Sequence, residues 1–359
     1  MRNRREFIRR VAGVAAGTLV SGRELVQAVP APQSGAPVTR REVHVAGKRV
    51  KVIDAHAHAA IAQVADVVKG TPLERFARGG GRALGPDRIQ ELDKRGIDMQ
   101  ALDINTFWWY SADRDLATKI VQVHDEGLSK WCAAHPDRFV AFTSPALQFP
   151  DLAAQQAEHA VKTLGMRGVA VGGHVAGEPL SLPKYDPFWA KVQELGVIVF
   201  MHPNNAENVA RMDAFAGAGD LSNIIGNPLE TTLFLSHLIF DGTLDRFPGL
   251  KICGAHAGGY MPSYLGRTDV ACDVRQNAKC VNKKHPREYL HDQILADSMV
   301  FSPEGIRHLV AEMGPAQVVY GTDIPLVWPD TIDAILTAEI PDAHKEAVLG
   351  GNLAKLLKL

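Results

Sequence analysis

The chain has 359 residues, of which 46% are hydrophobic and 22% charged, with a formal net charge of -1. Those proportions are ordinary for a soluble globular protein with a sizeable core, and the near-neutral balance argues against nucleic acid or an anionic membrane surface as a partner. The length exceeds that of most single domains, but α/β barrels reach this size as one domain.

The amino terminus reads as a targeting segment. Residues 1–10, MRNRREFIRR, form a basic head before the apolar run Val11 to Val20, which is too short to span a bilayer. Arg4-Arg5-Glu6-Phe7-Ile8-Arg9 is similar to the twin-arginine export motif. The expectation is a signal peptide over residues 1–31, cleaved near Ala28 or Ala31, and a flexible Pro/Ala/Ser-rich linker over 32–42. The twin-arginine export machinery is then a partner and the periplasm the destination.

From residue 43 to 359, β-rich apolar runs alternate with helical patterns, which points to βαβ units and a parallel sheet. The strands expected are 51–55, 98–102, 139–143, 167–171, 197–201, 251–255, either 294–297 or 299–301, and 317–321. The helices expected between them are 86–95, 116–135 (stopped by Pro136), 152–164, 186–195, 229–247 and 303–313. Eight strands in alternation with helices favour a closed (β/α)8 TIM barrel over an open doubly wound sheet, and no GxGxxG phosphate loop follows the first strand. A lid loop is expected around 60–86, with Gly79-Gly80-Gly81 as its flexible centre. The cysteines, Cys132, Cys253, Cys272 and Cys280, show no CxxC pair; Cys253 reads as a core residue, and a Cys272–Cys280 disulfide is left open.

The polar residues at strand ends carry the functional signal. Asp54-Ala55-His56-Ala57-His58 closes the first strand, His202 follows the fifth, His256 the sixth and Asp323 the eighth. Strand side chains alternate, so His56 and His58 share a face, and the carboxyl ends of barrel strands converge on one rim. A lone HxH is more often incidental, His202 alone reads as a satisfied polar residue, His256 as a turn and Asp323 as a helix N-cap. Four such residues at the ends of strands one, five, six and eight are better explained together, as the imidazole and carboxylate ligands of zinc or a similar divalent ion such as Mn2+.

The segments DAHAH (54–58), RIQELDKRGIDMQ (88–100), GVAVGGHV (168–175), VFMHP (199–203), HAGGYMPSYLGR (256–267) and VVYGTDIP (318–325) resemble, in order, amidohydrolase-related family 2 of the amidohydrolase superfamily, and within it the aminocarboxymuconate semialdehyde decarboxylases. The resemblance implies that His56, His58, His202 and Asp323 hold the metal, that His256 is a general base, that Arg267 pairs with a substrate carboxylate, and that the protein is a homodimer. Asn204-Asn205 after His202-Pro203, and Ile324-Pro325-Leu326 after Asp323, stand where that family carries aromatic residues. The pocket is therefore expected to differ in shape, and a particular substrate is not carried over.

A divalent ion lowers the pKa of its bound water toward about 7, and an imidazole titrating near 6.5 is suited to take that proton. His256 is the expected base, with Asp323 anionic beside it. Arg267 offers a planar partner for a carboxylate; Arg78 and Arg82 flank the lid glycines, with Arg82 a second anion contact. His174, after the fourth strand, and Asn204 are further substrate-binding candidates, and Trp108, Trp109 and Tyr110 are candidates for the pocket wall. The main reading is a metal-dependent non-oxidative decarboxylase of a small aromatic or unsaturated carboxylic acid. The alternatives are a metal-dependent hydrolase of a lactone, amide or similar bond and, from another class, a non-catalytic periplasmic binding protein.

Overall fold

The computed structural model describes residues 39–75, 83–104, 108–275, 277–326 and 328–359. The barrel strands are β1 (Ile53–His58), β2 (Met99–Asp103), β3 (Phe139–Thr143), β4 (Gly168–Val171), β5 (Ile198–Met201), β6 (Lys251–Gly254), β7 (Ile294–Asp297) and β8 (Val318–Val319). Each pairs in parallel with the next in chain order. The cylinder closes between last and first strands: Ala55 N–H bonds Tyr320 O at 2.9 Å, His58 N–H bonds Ile324 O at 2.8 Å, and Asp323 N–H bonds His56 O at 2.8 Å. The chain is a (β/α)8 barrel.

The strands are apolar on both faces because each separates the barrel interior from an outer layer of helices. Ile198 and Phe200 pack into an interior cluster to which all eight strands contribute, including Ile53, Met99, Phe142, Ala170, Cys253, Leu295 and Val319. Val199 and Met201, one position out of phase, pack into the separate cluster that faces the helices. Leu353 and Leu357 of the helix Asn352–Leu357 join the interior cluster and help fill it.

The outer helices used below are α1 (Pro86–Arg95), α2 (Arg114–Ala134), α3 (Pro150–Lys162), α4 (Asp186–Leu195), α5 (Asn227–Phe240), α6 (Leu265–Val274) and α7 (Pro303–Met313). Among the described residues no helix is long and apolar enough to cross a membrane.

Three sequence expectations are refined. The helix expected over 229–247 breaks: α5 ends at Phe240, Gly242 takes φ +72°, and a separate turn of helix runs Thr243–Arg246. The seventh strand is Ile294–Asp297, and β8 is cut to Val318–Val319 because Tyr320 onward bonds directly to β1. Two short hairpins, His44–Arg49 and His174–Pro179, were not foreseen. The lid glycines, Arg78 and Arg82 lie outside the described residues, as does the whole segment before Thr39.

Candidate metal centre and active site

The paired histidines face the interior through a local irregularity. Ile53 and Ala55 point into the barrel, so strict alternation would send Ala57 inward and both histidines outward. The register between β1 and β2 instead shifts between Asp54 and Ala57. Such a bulge re-aims the side chains that follow it, and Ala57 packs with the outer cluster while the His56 ring lies 5.0 Å from that of interior Phe200. His202 needs no irregularity, since it follows Phe200 by two positions. Its ring lies 5.0 Å from His56 and 4.7 Å from His58.

His56, His58, His202 and Asp323 each direct one ligand atom to a common point, with all four atoms within 4.8 Å of one another and every residue buried. His56 Nε2 and His58 Nε2 are 3.1 Å apart. Asp323 Oδ1 is 2.8 Å from His58 Nε2 and 3.2 Å from His56 Nε2. The opposite ring nitrogens are held by carboxylates: His56 Nδ1 donates to Asp297 Oδ2 at 2.7 Å and His58 Nδ1 to Asp103 Oδ1 at 2.6 Å. That fixes the tautomer whose Nε2 lone pair faces inward. Both ring nitrogens of His202 and Oδ2 of Asp323 are buried without a hydrogen-bond partner. Converging lone pairs, orphaned buried acceptors and a shell of supporting carboxylates are what a divalent cation satisfies.

The electrostatics agree. Burial and the neighbouring imidazoles of His58, His56 and His256 push His202 well below the ordinary histidine value, so its ring is neutral and free to ligate. Burial opposes charge on His56, but Asp323 and Asp297 outweigh it and hold that imidazole well above the ordinary value. Burial likewise works against Asp323, yet His56, His256 and His58 keep its carboxyl well below the usual range. The field of these carboxylates favours positive charge where the four ligand atoms meet.

Asp297 was not singled out from sequence, and it organises two parts of the site. Besides His56 it accepts the N–H groups of His256 at 3.0 Å and Ala257 at 2.8 Å. Those two residues open a run of four with positive φ, His256 (+55°), Ala257 (+59°), Gly258 (+70°) and Gly259 (+66°). Left-handed backbone costs an L-residue roughly 1–2 kcal/mol, and the two bonds to Asp297 offset it. At Gly259 a Cβ would stand 2.3 Å from Pro228 O, so the second glycine of HAGG is required by space as well. The turn places the His256 ring 5.3 Å from His56 and its Nε2 3.9 Å from Asp323 Oδ2, outside the four-ligand set.

Asp103 and Asp54 were also missed. Asp54 accepts from Gln100 Nε2 at 2.7 Å and Thr322 Oγ1 at 2.6 Å, tying β1 to β2 and to the segment after β8. A parity signal was available for two of these: Asp103 and Asp297 each follow an interior-facing residue, Ala101 and Leu295, by two positions at a strand end.

A cavity of about 300 Å³ lies at the ends of β2, β4 and β5, lined among others by Arg75, Trp108, Tyr110, His174, Asn204 and Glu230. Trp108 and Tyr110 stack at 5.8 Å, and the Tyr110 hydroxyl accepts the Gly172 N–H at 3.0 Å. Trp109 does not line it: it is 2% exposed, packs in a satellite core and donates to Ser144 O at 2.9 Å. His174 and Asn204 line the cavity, whereas Arg267 is exposed on α6 and is not among the lining residues. Glu230, on α5, is a lining residue that the sequence reading passed over.

A deep-seated three-histidine, one-aspartate cluster at the carboxyl rim of a (β/α)8 barrel defines a metal-dependent enzyme of the amidohydrolase type. The Amidohydro_2 family, described as amidohydrolase, matches residues 53–359, and the chain belongs to that family. It is 31% identical over 280 residues to a 2-amino-3-carboxymuconate-6-semialdehyde decarboxylase of Dictyostelium discoideum, covering 76% of this chain and 77% of that protein. It is 29% identical over 296 residues to a gamma-resorcylate decarboxylase of Rhodococcus jostii, covering 76% and 87%. Among solved structures, a 5-carboxyvanillate decarboxylase from Novosphingobium aromaticivorans, complexed with manganese and 4-hydroxy-3-methoxy-5-nitrobenzoic acid, superposes with a TM-score of 0.75 at 23% identity, over 86% of this chain and 96% of that one. The four-residue cluster is a divalent-cation site.

Proposed function

We propose that the chain is a metal-dependent, non-oxidative decarboxylase of a small aromatic or unsaturated carboxylic acid. The carrying observation is the four-ligand cluster, one of whose ligands, His202, stands two positions before Asn204 in the lining of a cavity walled by the stacked Trp108 and Tyr110. The relatives named above that act as decarboxylases support the reaction class. A divalent cation on His56, His58, His202 and Asp323 would supply Lewis-acid stabilisation of charge on substrate oxygen.

The protein's own groups account for the rest. The aromatic pair orients a flat conjugated acid, and Arg75 at the cavity lining supplies a cation for its carboxylate. His256 carries a proton on Nε2, beside Asp323 Oδ2, and delivers it to the substrate carbon that bears the carboxylate. That C–H bond is made with a π pair of the conjugated system; the bond to the carboxylate carbon then breaks, its electron pair restores that π system, and carbon dioxide leaves. No oxidant is consumed. Carbon dioxide release from a panel of hydroxybenzoates and muconate-like acids by the purified protein tests this reading; acid release from lactones with no carbon dioxide from any acid would replace it with the hydrolase alternative.

Three further parts of the reading concern context. Zinc or manganese is the resident ion. Residues 1–31 direct twin-arginine export to the periplasm, and the Cys272–Cys280 disulfide, a bond that persists in oxidising compartments, supports that destination. The protein is a homodimer, for which the exposed apolar side chains of Tyr264, Val270 and Val274, on and beside α6, provide a surface to cover.

A further inference from the structure

The bulge that turns His56 and His58 inward is held at both ends by buried groups outside the ligand set. At its start, Asp54 Oδ1 accepts the His56 N–H at 3.0 Å, the local bond by which an aspartate diverts the backbone two residues on from regular pairing. The same oxygen accepts the Thr322 N–H at 3.1 Å, while Oδ2 accepts from Gln100 Nε2 at 2.7 Å and Thr322 Oγ1 at 2.6 Å. Four such donors favour the ionised carboxylate, against its burial. At the far end of the bulge, Arg88 of α1 donates through Nη2 to the His58 carbonyl.

Arg88 is 6% exposed, and its Nη1 donates to Gln100 Oε1 at 3.3 Å. Gln100, fully buried on β2, therefore spans two charges: its Oε1 meets the guanidinium and its Nε2 the Asp54 carboxylate. Asp54 is the carboxylate whose field favours the Arg88 cation most, ahead of Glu91 on the same helix. A buried charge is costly unless a counter-charge and hydrogen bonds meet it, and here each charge answers the other through one amide.

The unit touches the backbone beside three of the four ligands: the N–H of His56, the carbonyl of His58 and the N–H of Thr322, which precedes Asp323. Asp54, Gln100 and Arg88 are not among the residues lining the cavity beside Trp108. We propose that Asp54 and Arg88, joined through Gln100, are positioning residues for the cation site, opposite charges that clamp the bulge of β1 at both ends and so aim His56 and His58. A pair that only stabilised the barrel would leave ligand geometry unchanged when removed.

Manganese affinity, by competition with a chelator, and the visible spectrum of the cobalt-loaded protein, which reports ligand geometry, are measured for wild type, D54N, R88M, R88K and D54N/R88M. Denaturant melts of the metal-free proteins are run alongside. D54N and R88M are each expected to lose about 10–100-fold in affinity, with an altered cobalt spectrum. The double variant should lose less than the product of the two, because each single change strands the opposite charge and the double change removes both. R88K, which keeps the charge, should recover part of what R88M loses. Folded variants that are weakened in the melts but keep wild-type affinity and spectrum, or a double variant whose loss equals the product of the singles, overturn the assignment. If R88M fails to fold, D54N decides: wild-type affinity there overturns the assignment, and a loss of about tenfold or more upholds it.

Discussion

His58 Nε2 and Asp323 Oδ1 stand 2.8 Å apart, although 265 positions separate the two residues in the chain. The contact exists because the last strand bonds back to the first, so one ligand pair comes from the seam that closes the cylinder. Anything that loosens the seam loosens the centre.

Asp297→Asn tests how much of the metal affinity resides in support rather than in ligands. Asp297 fixes the His56 tautomer through Nδ1 and holds the His256 turn through two N–H bonds. Loss of such an outer partner typically costs about 10–100-fold in metal affinity or activity. Competition with a chelator should show that loss in a folded variant; unchanged affinity and unchanged turnover would leave Asp297 without a role in the centre.

His256→Ala separates proton donor from ligand. His256 lies outside the four-atom set, with Nε2 3.9 Å from Asp323 Oδ2. Proton transfer by a placed side chain is worth roughly 10²–10⁴-fold, so kcat should fall by that range while metal content stays at that of the wild type. Loss of the metal would make His256 a ligand.

Glu230 gives a pH dependence of stability with a definite sign. Burial raises its carboxyl to about 7 from 4.5, against the three backbone N–H groups that favour the anion. The folded state therefore binds a proton more readily than the unfolded state between those values. The contribution of the protonated group to stability is full below 4.5 and is lost as pH rises toward 7, by roughly 3 kcal/mol in all. Denaturant melts at pH 5 and pH 7.5 should show a loss in the wild type that E230Q lacks; parallel profiles would contradict it.

Much of the barrel was legible because its signal is local. Apolar runs marked all eight strands, and helices 86–95, 186–195 and 303–313 match α1, α4 and α7 end for end. What escaped depended on geometry that no local pattern carries, except that strand parity from interior Ala101 and Leu295 pointed to Asp103 and Asp297. The HxH pair was correctly taken to share a face, but plain alternation from Ile53 would have sent it outward, and only the bulge turns it in. Asp103 and Asp297 read as the polar ends of apolar strands until their hydrogen bonds to His58 and His56 were in view. Glu230 lies in a helix that reads as apolar packing, and its partners are backbone groups of two distant loops, which leave no residue-type signature. Arg267, implied by the resemblance, stands exposed on α6; it is outside the cavity lining, as are the four metal ligands and His256.

The central claim is one cation held jointly by His56, His58, His202 and Asp323, and metal analysis of the purified protein tests it most directly. The account predicts close to one divalent ion per chain in the wild type and little or none in a folded His58→Ala variant. A folded wild type with no bound metal, or full occupancy in the variant, would contradict it.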